Sequence, residues 1–175
     1  PAEAGDSLSE TISENKKATE ALTEKLKRVL EEAQYPIQSE ERINRIRHSL
    51  RVISTDNGTL LMLPGATFSP ASDELSSQAA ASLADIARVL ANLTLDIEIV
   101  GHTDNVPIDT ERFRSNWELS TSRSIAVARI IMAEGIPGTA ISVVGYADTK
   151  PRSDNSTDEG RAANRRVEVY FRSRG

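Results

Sequence analysis

Residues 101–107 read Gly-His-Thr-Asp-Asn-Val-Pro, and residues 115–123 read Ser-Asn-Trp-Glu-Leu-Ser-Thr-Ser-Arg. The run from Leu95 to Val100 comes directly before the first stretch and alternates apolar with acidic residues, which predicts a strand. The second stretch opens a helix, because its first serine and its glutamate have the spacing of a capping box. Asp104 is therefore expected at the end of a strand, and Arg123 about two turns into the following helix.

The flanking sequence predicts the rest of the fold. Asn-Gly between two apolar runs is a strong hairpin signal, since both residues tolerate positive φ. A helix from about Asp73 to Asn92 has an apolar stripe of Leu75, Ala79, Leu83, Ile86 and Leu90. The predicted elements are a hairpin of Leu50–Ser54 and Thr59–Leu63, strands at Ile141–Val144 and Val167–Phe171, and helices at Asp73–Asn92, Ser115–Glu134 and Asp158–Asn164. Strands alternating with helices after a hairpin indicate an α+β fold, a mixed β-sheet covered by helices.

The N-terminal part of the chain predicts a separate helical segment. From about Ser7 to Gln34, apolar residues recur at heptad spacing, although Asn15 and Thr19 weaken this seam. Tyr35-Pro36 ends the helix, and a short second helix is expected from about Glu40 to Ser49. The chain therefore divides into a helical linker or dimerisation segment at 1–36 and a domain at 37–175. The amphipathic helix either packs on its own domain or acts as a dimerising or regulatory helix.

Composition limits the possible functions. The chain has 175 residues, a net charge of −5 and no cysteine. The negative charge argues against nonspecific binding to nucleic acid, and the absence of cysteine excludes disulfides and thiolate sites. No apolar run reaches the roughly 20 residues of a membrane helix, so the sequence is interpreted as a soluble fragment.

Asp104 and Arg123 together suit a small zwitterionic ligand. A carboxylate can bind an ammonium group, and a guanidinium can bind a carboxylate through two parallel hydrogen bonds. The alternatives are that Asp104 only caps a turn and that Arg123 only pairs with it. His102 and Asp104 are too few ligands for zinc, and with two histidines and no nucleophile motif the chain offers little for a hydrolase. We expect no metal and no cofactor.

The Thr103-Asp104 pair, the Leu119–Arg123 segment and Asn164-Arg165-Arg166 occur in the order found in one known family. Together they resemble the OmpA-like peptidoglycan-binding domain, and in detail the periplasmic region of flagellar stator B subunits (the MotB type). The resemblance spans roughly Thr59 to Phe171. It implies that Asp104, Arg123 and Arg165 hold the diaminopimelate of the peptidoglycan stem peptide, with Thr103, Asn116 and Leu119 as neighbours in the pocket.

The sequence also raises the roles of three clustered arginines and of Trp117. The arginines at 161, 165 and 166 form either ligand contacts or a structural ion-pair network. Trp117 is predicted to pack within the domain rather than to stack on a ligand.

The resemblance also implies a function and partners. The chain is expected to be a non-catalytic, periplasmic and homodimeric anchor that tethers an ion-driven stator to the cell wall. It would join the stator A subunit through an upstream transmembrane helix and contact the flagellar P-ring. The alternatives are a Pal-like or secretion-system anchor and, from another class, a wall-processing enzyme.

Overall fold

The computed structural model describes residues 24, 46, 48–55 and 58–174 of the chain. The predicted helix at Ser7–Gln34, most of the short helix at Glu40–Ser49 and the division at residue 36 lie outside these residues. The strands are β1 (Arg51–Thr55), β2 (Gly58–Pro64), β3 (Leu95–His102), β4 (Ile141–Gly145) and β5 (Arg166–Ser173). The helices are α1 (Ser77–Leu90), α2 (Asn116–Ala133) and α3 (Asp158–Asn164), with short 3₁₀ turns at Gly65–Thr67 and Gly138–Ala140.

The strands form one mixed sheet in the order β1-β2-β5-β3-β4. β3 and β4 are parallel, and the other neighbouring pairs are antiparallel. The predicted hairpin is confirmed, since Thr55 pairs with Gly58 across the turn. Gly58 has a φ of +150°, and a side chain there would meet the carbonyl oxygen of Phe171.

The hydrophobic core lies between the sheet and helices α1 and α2. β5 turns Val167, Val169 and Phe171 toward this core, while the alternate residues point to the other face. The predicted stripe of α1 is confirmed from Ala79 to Leu90. Leu75 was expected in that stripe, but it precedes the helix and forms an isolated bridge with Phe68. The helix starts later than predicted because Ser76 caps it by accepting from the amide of Ala79.

Helix α2 crosses the sheet where two glycines lie side by side. Gly101 of β3 pairs with Gly145 of β4. A Cβ on Gly101 would lie 2.1 Å from the carbonyl oxygen of Ser120, and one on Gly145 would lie 2.1 Å from the Thr121 hydroxyl. The absence of side chains at these positions lets α2 approach the sheet closely, and this brings Arg123 to the loops at the ends of the strands.

Candidate functional site

The loop after β3 holds the carboxylate of Asp104 in two ways. Oδ1 accepts from the amide of Val106 at 3.1 Å, and Oδ2 lies 2.6 Å from Nη1 of Arg165. The side chain of Asp104 is 11% exposed and that of Arg165 is 42% exposed. Asp104 therefore does cap a turn, as the simpler interpretation of the sequence suggested, and it also forms an ion pair with a residue 61 positions away.

Arg123 is buried, and its hydrogen bonds go to the main chain. Its Nε donates to the carbonyl oxygen of Ser72 at 2.7 Å, and its Nη2 lies 3.5 Å from that of Ser69. The guanidinium carbon lies 4.9 Å from the centre of the Phe68 ring, within cation–π range. Among the described residues Arg123 forms no salt bridge, so the alternative in which Arg123 only pairs with Asp104 does not hold.

Electrostatics favour an anion beside Arg123. Burial and the nearby charge of Arg165 lower the pKa of Arg123 to about 10, while Asp73 and Asp104 act in the opposite direction. Burial disfavours a charge that no counterion offsets. A carboxylate bound at this guanidinium would supply the missing counterion.

Arg123 and Arg165 line the same cleft, which has a volume of about 850 Å³. The turn at Gly65 brings the lining together, because its amide donates to the carbonyl oxygen of Arg165 at 2.7 Å. A Cβ on Gly65 would lie 2.6 Å from the Cβ of Arg165. The cleft is lined by Arg51, Met62, Pro64, Gly65, Ala66, Phe68, Pro70, Ala71, Arg123, Arg152, Ser153, Glu159, Ala162, Ala163, Arg165 and Arg166. Asp104 is not among these residues and is linked to the cleft through Arg165.

Thr103, Asn116 and Leu119 are not in the lining of this cleft. The Thr103 hydroxyl donates to the carbonyl oxygen of Asp104 at 2.8 Å, and the Asn116 side-chain amide donates to that of Val106 at 3.0 Å. Thr103 and Asn116 thereby fix the loop that carries Asp104, whereas Leu119 is buried in α2.

Glu168 organises a buried polar cluster on the sheet face away from α1 and α2. Its carboxylate accepts from Arg166 and from the Tyr170 hydroxyl, each at 2.6 Å. Nε2 of His102 lies 3.5 Å from the same carboxylate, at the outer limit of hydrogen bonding. Burial raises the pKa of Glu168, but the neighbouring His102 ring and the hydrogen bonds from Tyr170 and Arg166 outweigh it and bring the pKa to about 2.

The arginines at 161, 165 and 166, which the sequence analysis treated as one cluster, have different carboxylate partners in the structure. Arg166 pairs with Glu168, and Arg161 pairs with Asp158 on the surface. These two belong to structural ion pairs, whereas Arg165 faces Asp104 beside the cleft.

Asn164 has a role that the sequence analysis missed. Its Oδ1 accepts from the amides of Arg152 and Ser153 at 2.8 and 2.9 Å, and its Nδ2 donates to the carbonyl oxygen of Ser153 at 2.9 Å. Asn164 is fully buried. It fastens the 150s loop beside α3, and this holds Arg152 at the cleft. The Asn164-Arg165-Arg166 motif was the available signal, but only Arg165 was selected from it.

The prediction that Trp117 packs inside the domain is wrong, because Trp117 is 52% exposed. Its position on the first turn of α2 points it away from the sheet that buries Leu119, Arg123 and Val127.

In the part of the chain that the structure describes, no group of three or more His, Asp or Glu side chains is arranged to hold a metal ion. Within that same part, no helix has the length and apolar character needed to cross a membrane.

Comparison with known proteins gives one family. The model of the OmpA family matches residues 67–165. Motility protein B of Bacillus subtilis is 34% identical over 134 residues, which cover 75% of this chain and 51% of that protein. The chain spans about half the length of the curated relatives it matches first.

Two solved structures share the fold. The cell wall anchor of the T6SS from Pseudomonas aeruginosa aligns with a TM-score of 0.68 and 29% identity, covering 77% of this chain and 94% of that one. The periplasmic domain of Helicobacter pylori MotB aligns with a TM-score of 0.64 and 28% identity, covering 72% and 83%. The α+β fold expected from the sequence, and the resemblance on which that expectation rested, are both confirmed.

Proposed function

This chain belongs to the OmpA family, and on that basis we propose that it is a non-catalytic anchor that binds the diaminopimelate of the peptidoglycan stem peptide. The observation that carries the proposal is a buried guanidinium, that of Arg123, at a cleft and without a carboxylate partner among the described residues. Desolvated arginines are normally paired, so an unpaired one beside a cleft is suited to an anionic ligand.

The ammonium group of the ligand has a partner in Asp104. In the structure this carboxylate is held by Arg165, whose side chain is 42% exposed and has room to reorient. We infer that the ligand exchanges the ion pair: its ammonium takes the place of Arg165 at Asp104, and its carboxylate binds Arg123 and the released Arg165. A zwitterionic ligand end leaves the net charge of these three side chains unchanged, and Asp104 has a cationic partner before and after the exchange, which avoids a buried unpaired carboxylate.

Thr103, Asn116 and Leu119 support this site in the proposal. The Thr103 hydroxyl and the Asn116 amide bond the main chain of residues 104 and 106, which fixes the direction of the Asp104 side chain. Leu119 is buried one turn before Arg123 on the same helix. A rigid support of this kind reduces the entropy lost when the ligand binds.

The proposed biological role is to tether the ion-driven flagellar stator to the cell wall from the periplasm. Its support is the similarity to Motility protein B and to a periplasmic domain of MotB. As part of this role we propose a homodimer that joins the stator A subunit through an upstream membrane helix and contacts the flagellar P-ring. The helical segment at 1–36 would connect the membrane helix to the domain at 37–175.

A second candidate is a wall anchor outside motility, Pal-like or belonging to a secretion system. The alignment with the cell wall anchor of the T6SS favours this alternative. The two roles share the same wall-binding site and differ in what lies upstream. Co-purification of the full-length gene product with a stator A subunit supports the motor role, whereas a lipidated cysteine upstream supports a Pal-like anchor.

The test of wall binding is co-sedimentation with purified diaminopimelate-type sacculi. The parent chain is expected to sediment with the sacculi, and folded Asp104→Ala and Arg123→Ala variants are expected to stay in solution. Equal sedimentation of all three proteins would refute the site. Release of soluble fragments from the sacculi would favour a wall-processing enzyme over an anchor.

A further inference from the structure

The cleft contains more positive charge than the diaminopimelate site uses. Among the described residues, its lining includes five arginines, at 51, 123, 152, 165 and 166, but one acidic residue, Glu159. Arg165 is paired with Asp104 and Arg166 with Glu168. The chain as a whole carries a charge of −5, so this concentration of arginine is a local feature of the cleft.

Arg152 is exposed, and within the described residues it has no anionic partner. Its main chain is fixed by Asn164, and its Nη1 lies 2.7 Å from the sulfur of Met62. A thioether is a weak acceptor and gives little compensation to a guanidinium. Among the described residues Arg152 has no carboxylate contact.

Arg51 joins Arg152 through the sheet register. On β1 it is the direct partner of Met62 on β2, so both arginines flank the same methionine. Residues directly opposite in an antiparallel pair lie on the same face of a sheet. Arg51 also lacks a carboxylate contact within the described part of the chain. The two guanidinium groups therefore form a second basic position in the cleft, separate from Arg123.

The size of the cleft allows a ligand to reach both positions. Its volume of about 850 Å³ is more than the end of one amino-acid side chain fills. It lies within the range of roughly 300–1,000 Å³ of sites that hold ligands of several tens of atoms. A short peptide with more than one carboxylate matches both the volume and the charge of this cleft.

We propose that Arg152 and Arg51 bind a second carboxylate of the wall peptide, the free α-carboxylate of the γ-linked glutamate that precedes diaminopimelate. This inference rests on the proposed function, because it takes Arg123 and Asp104 as the holders of diaminopimelate. It adds a specificity: the cleft distinguishes a stem peptide with a free glutamate carboxylate from one in which that group is amidated.

The experiment measures binding of two synthetic tripeptides by calorimetry. They are L-alanyl-γ-D-glutamyl-meso-diaminopimelate and the same peptide with the glutamate α-carboxylate converted to an amide. The parent chain is expected to bind the acid roughly two- to fivefold more tightly than the amide, the size of a solvent-accessible ion pair. Arg152→Gln and Arg51→Gln are expected to reduce this preference by weakening binding of the acid alone, and Arg152→Lys to restore part of it.

Arg129→Gln is the matched control, since Arg129 is an exposed arginine on α2 outside the cleft lining. Equal affinity of the parent chain for acid and amide would overturn the inference, as would equal losses for both peptides in Arg152→Gln. If the parent chain binds both peptides and Asp104→Ala abolishes this, the proposed function stands whatever the arginine variants do. Failure of the parent chain to bind either peptide or sacculi would refute the proposed function together with the inference.

Discussion

Replacing Asp104 by asparagine removes one charge from the proposed site and preserves its shape. The turn survives, because the side-chain oxygen of asparagine can still accept from the amide of Val106, as Oδ1 does at 3.1 Å. The group at the Oδ2 position becomes a donor, and it can no longer pair with Arg165 or with an ammonium group of a ligand.

The expected effects on stability and on binding differ in size. Arg165 is 42% exposed, so losing its partner costs the fold about 1 kcal/mol or less. The Asp104 side chain is only 11% exposed, and an ammonium bound there loses a desolvated, charge-assisted hydrogen bond. That loss is about 2 kcal/mol, which corresponds to roughly 30-fold weaker binding.

Calorimetry with the free-acid tripeptide and thermal unfolding by circular dichroism measure the two effects on the same protein. Asp109→Asn is the control, because Asp109 lies on the same loop with a 73% exposed side chain. It removes the same charge from the chain but is expected to leave the affinity unchanged. Binding by folded Asp104→Asn within about twofold of the parent, a difference near 0.4 kcal/mol, would refute the assignment of Asp104 as the ammonium partner.

Three further changes test the structure around the site. The pKa of Glu168 is about 2 instead of 4.5, so the stability it contributes is complete above about pH 4.5 and is lost as the pH falls toward 2. Glu168→Gln should therefore be about 3 kcal/mol less stable than the parent chain at neutral pH, as measured by urea unfolding. The difference should close as the pH falls from 4.5 to 2. A pH-independent gap would contradict the low pKa. Gly101→Ala should cost about 1–3 kcal/mol in the same assay, because its Cβ would meet the carbonyl oxygen of Ser120; an unchanged midpoint would refute the close approach of α2. Ser115→Ala should cost about 1 kcal/mol through the lost helix cap, whereas Ser153→Ala, an exposed change away from α2, should cost none.

The sequence was informative where structure depends on near neighbours. The hairpin, the capped start of α2 and the bounds of α3 follow from turn and capping residues a few positions apart. The start of α1 was misjudged because Leu75 fits the helical period. In the structure, residues 69–76 instead form a loop with a turn at Pro70 and Ala71, and its carbonyl groups at 69 and 72 accept from Arg123. A contact across about 50 residues leaves no local signal.

The geometry of the candidate site was accessible only in part for the same reason. The motifs selected Asp104, Arg123 and Arg165 as ligand residues, which stays a prediction, but the spacing along the chain did not show that Arg165 holds Asp104. Arg51 and Arg152 carry no motif, and they lie together because both contact the neighbourhood of Met62 on β2. Their position depends on strand pairing, which a local pattern does not specify.

If the chain acts as the proposed anchor, the ion pair between Asp104 and Arg165 has a kinetic consequence. In the proposed exchange, Arg165 returns to the Asp104 carboxylate when a stem peptide leaves, so dissociation does not pass through an exposed pair of uncompensated charges. The barrier to release is thereby lowered along with the net affinity, since binding replaces one salt bridge by another. A single contact of this kind is expected to dissociate quickly. Several such contacts can together hold a polymer while each one dissociates and rebinds to a neighbouring peptide.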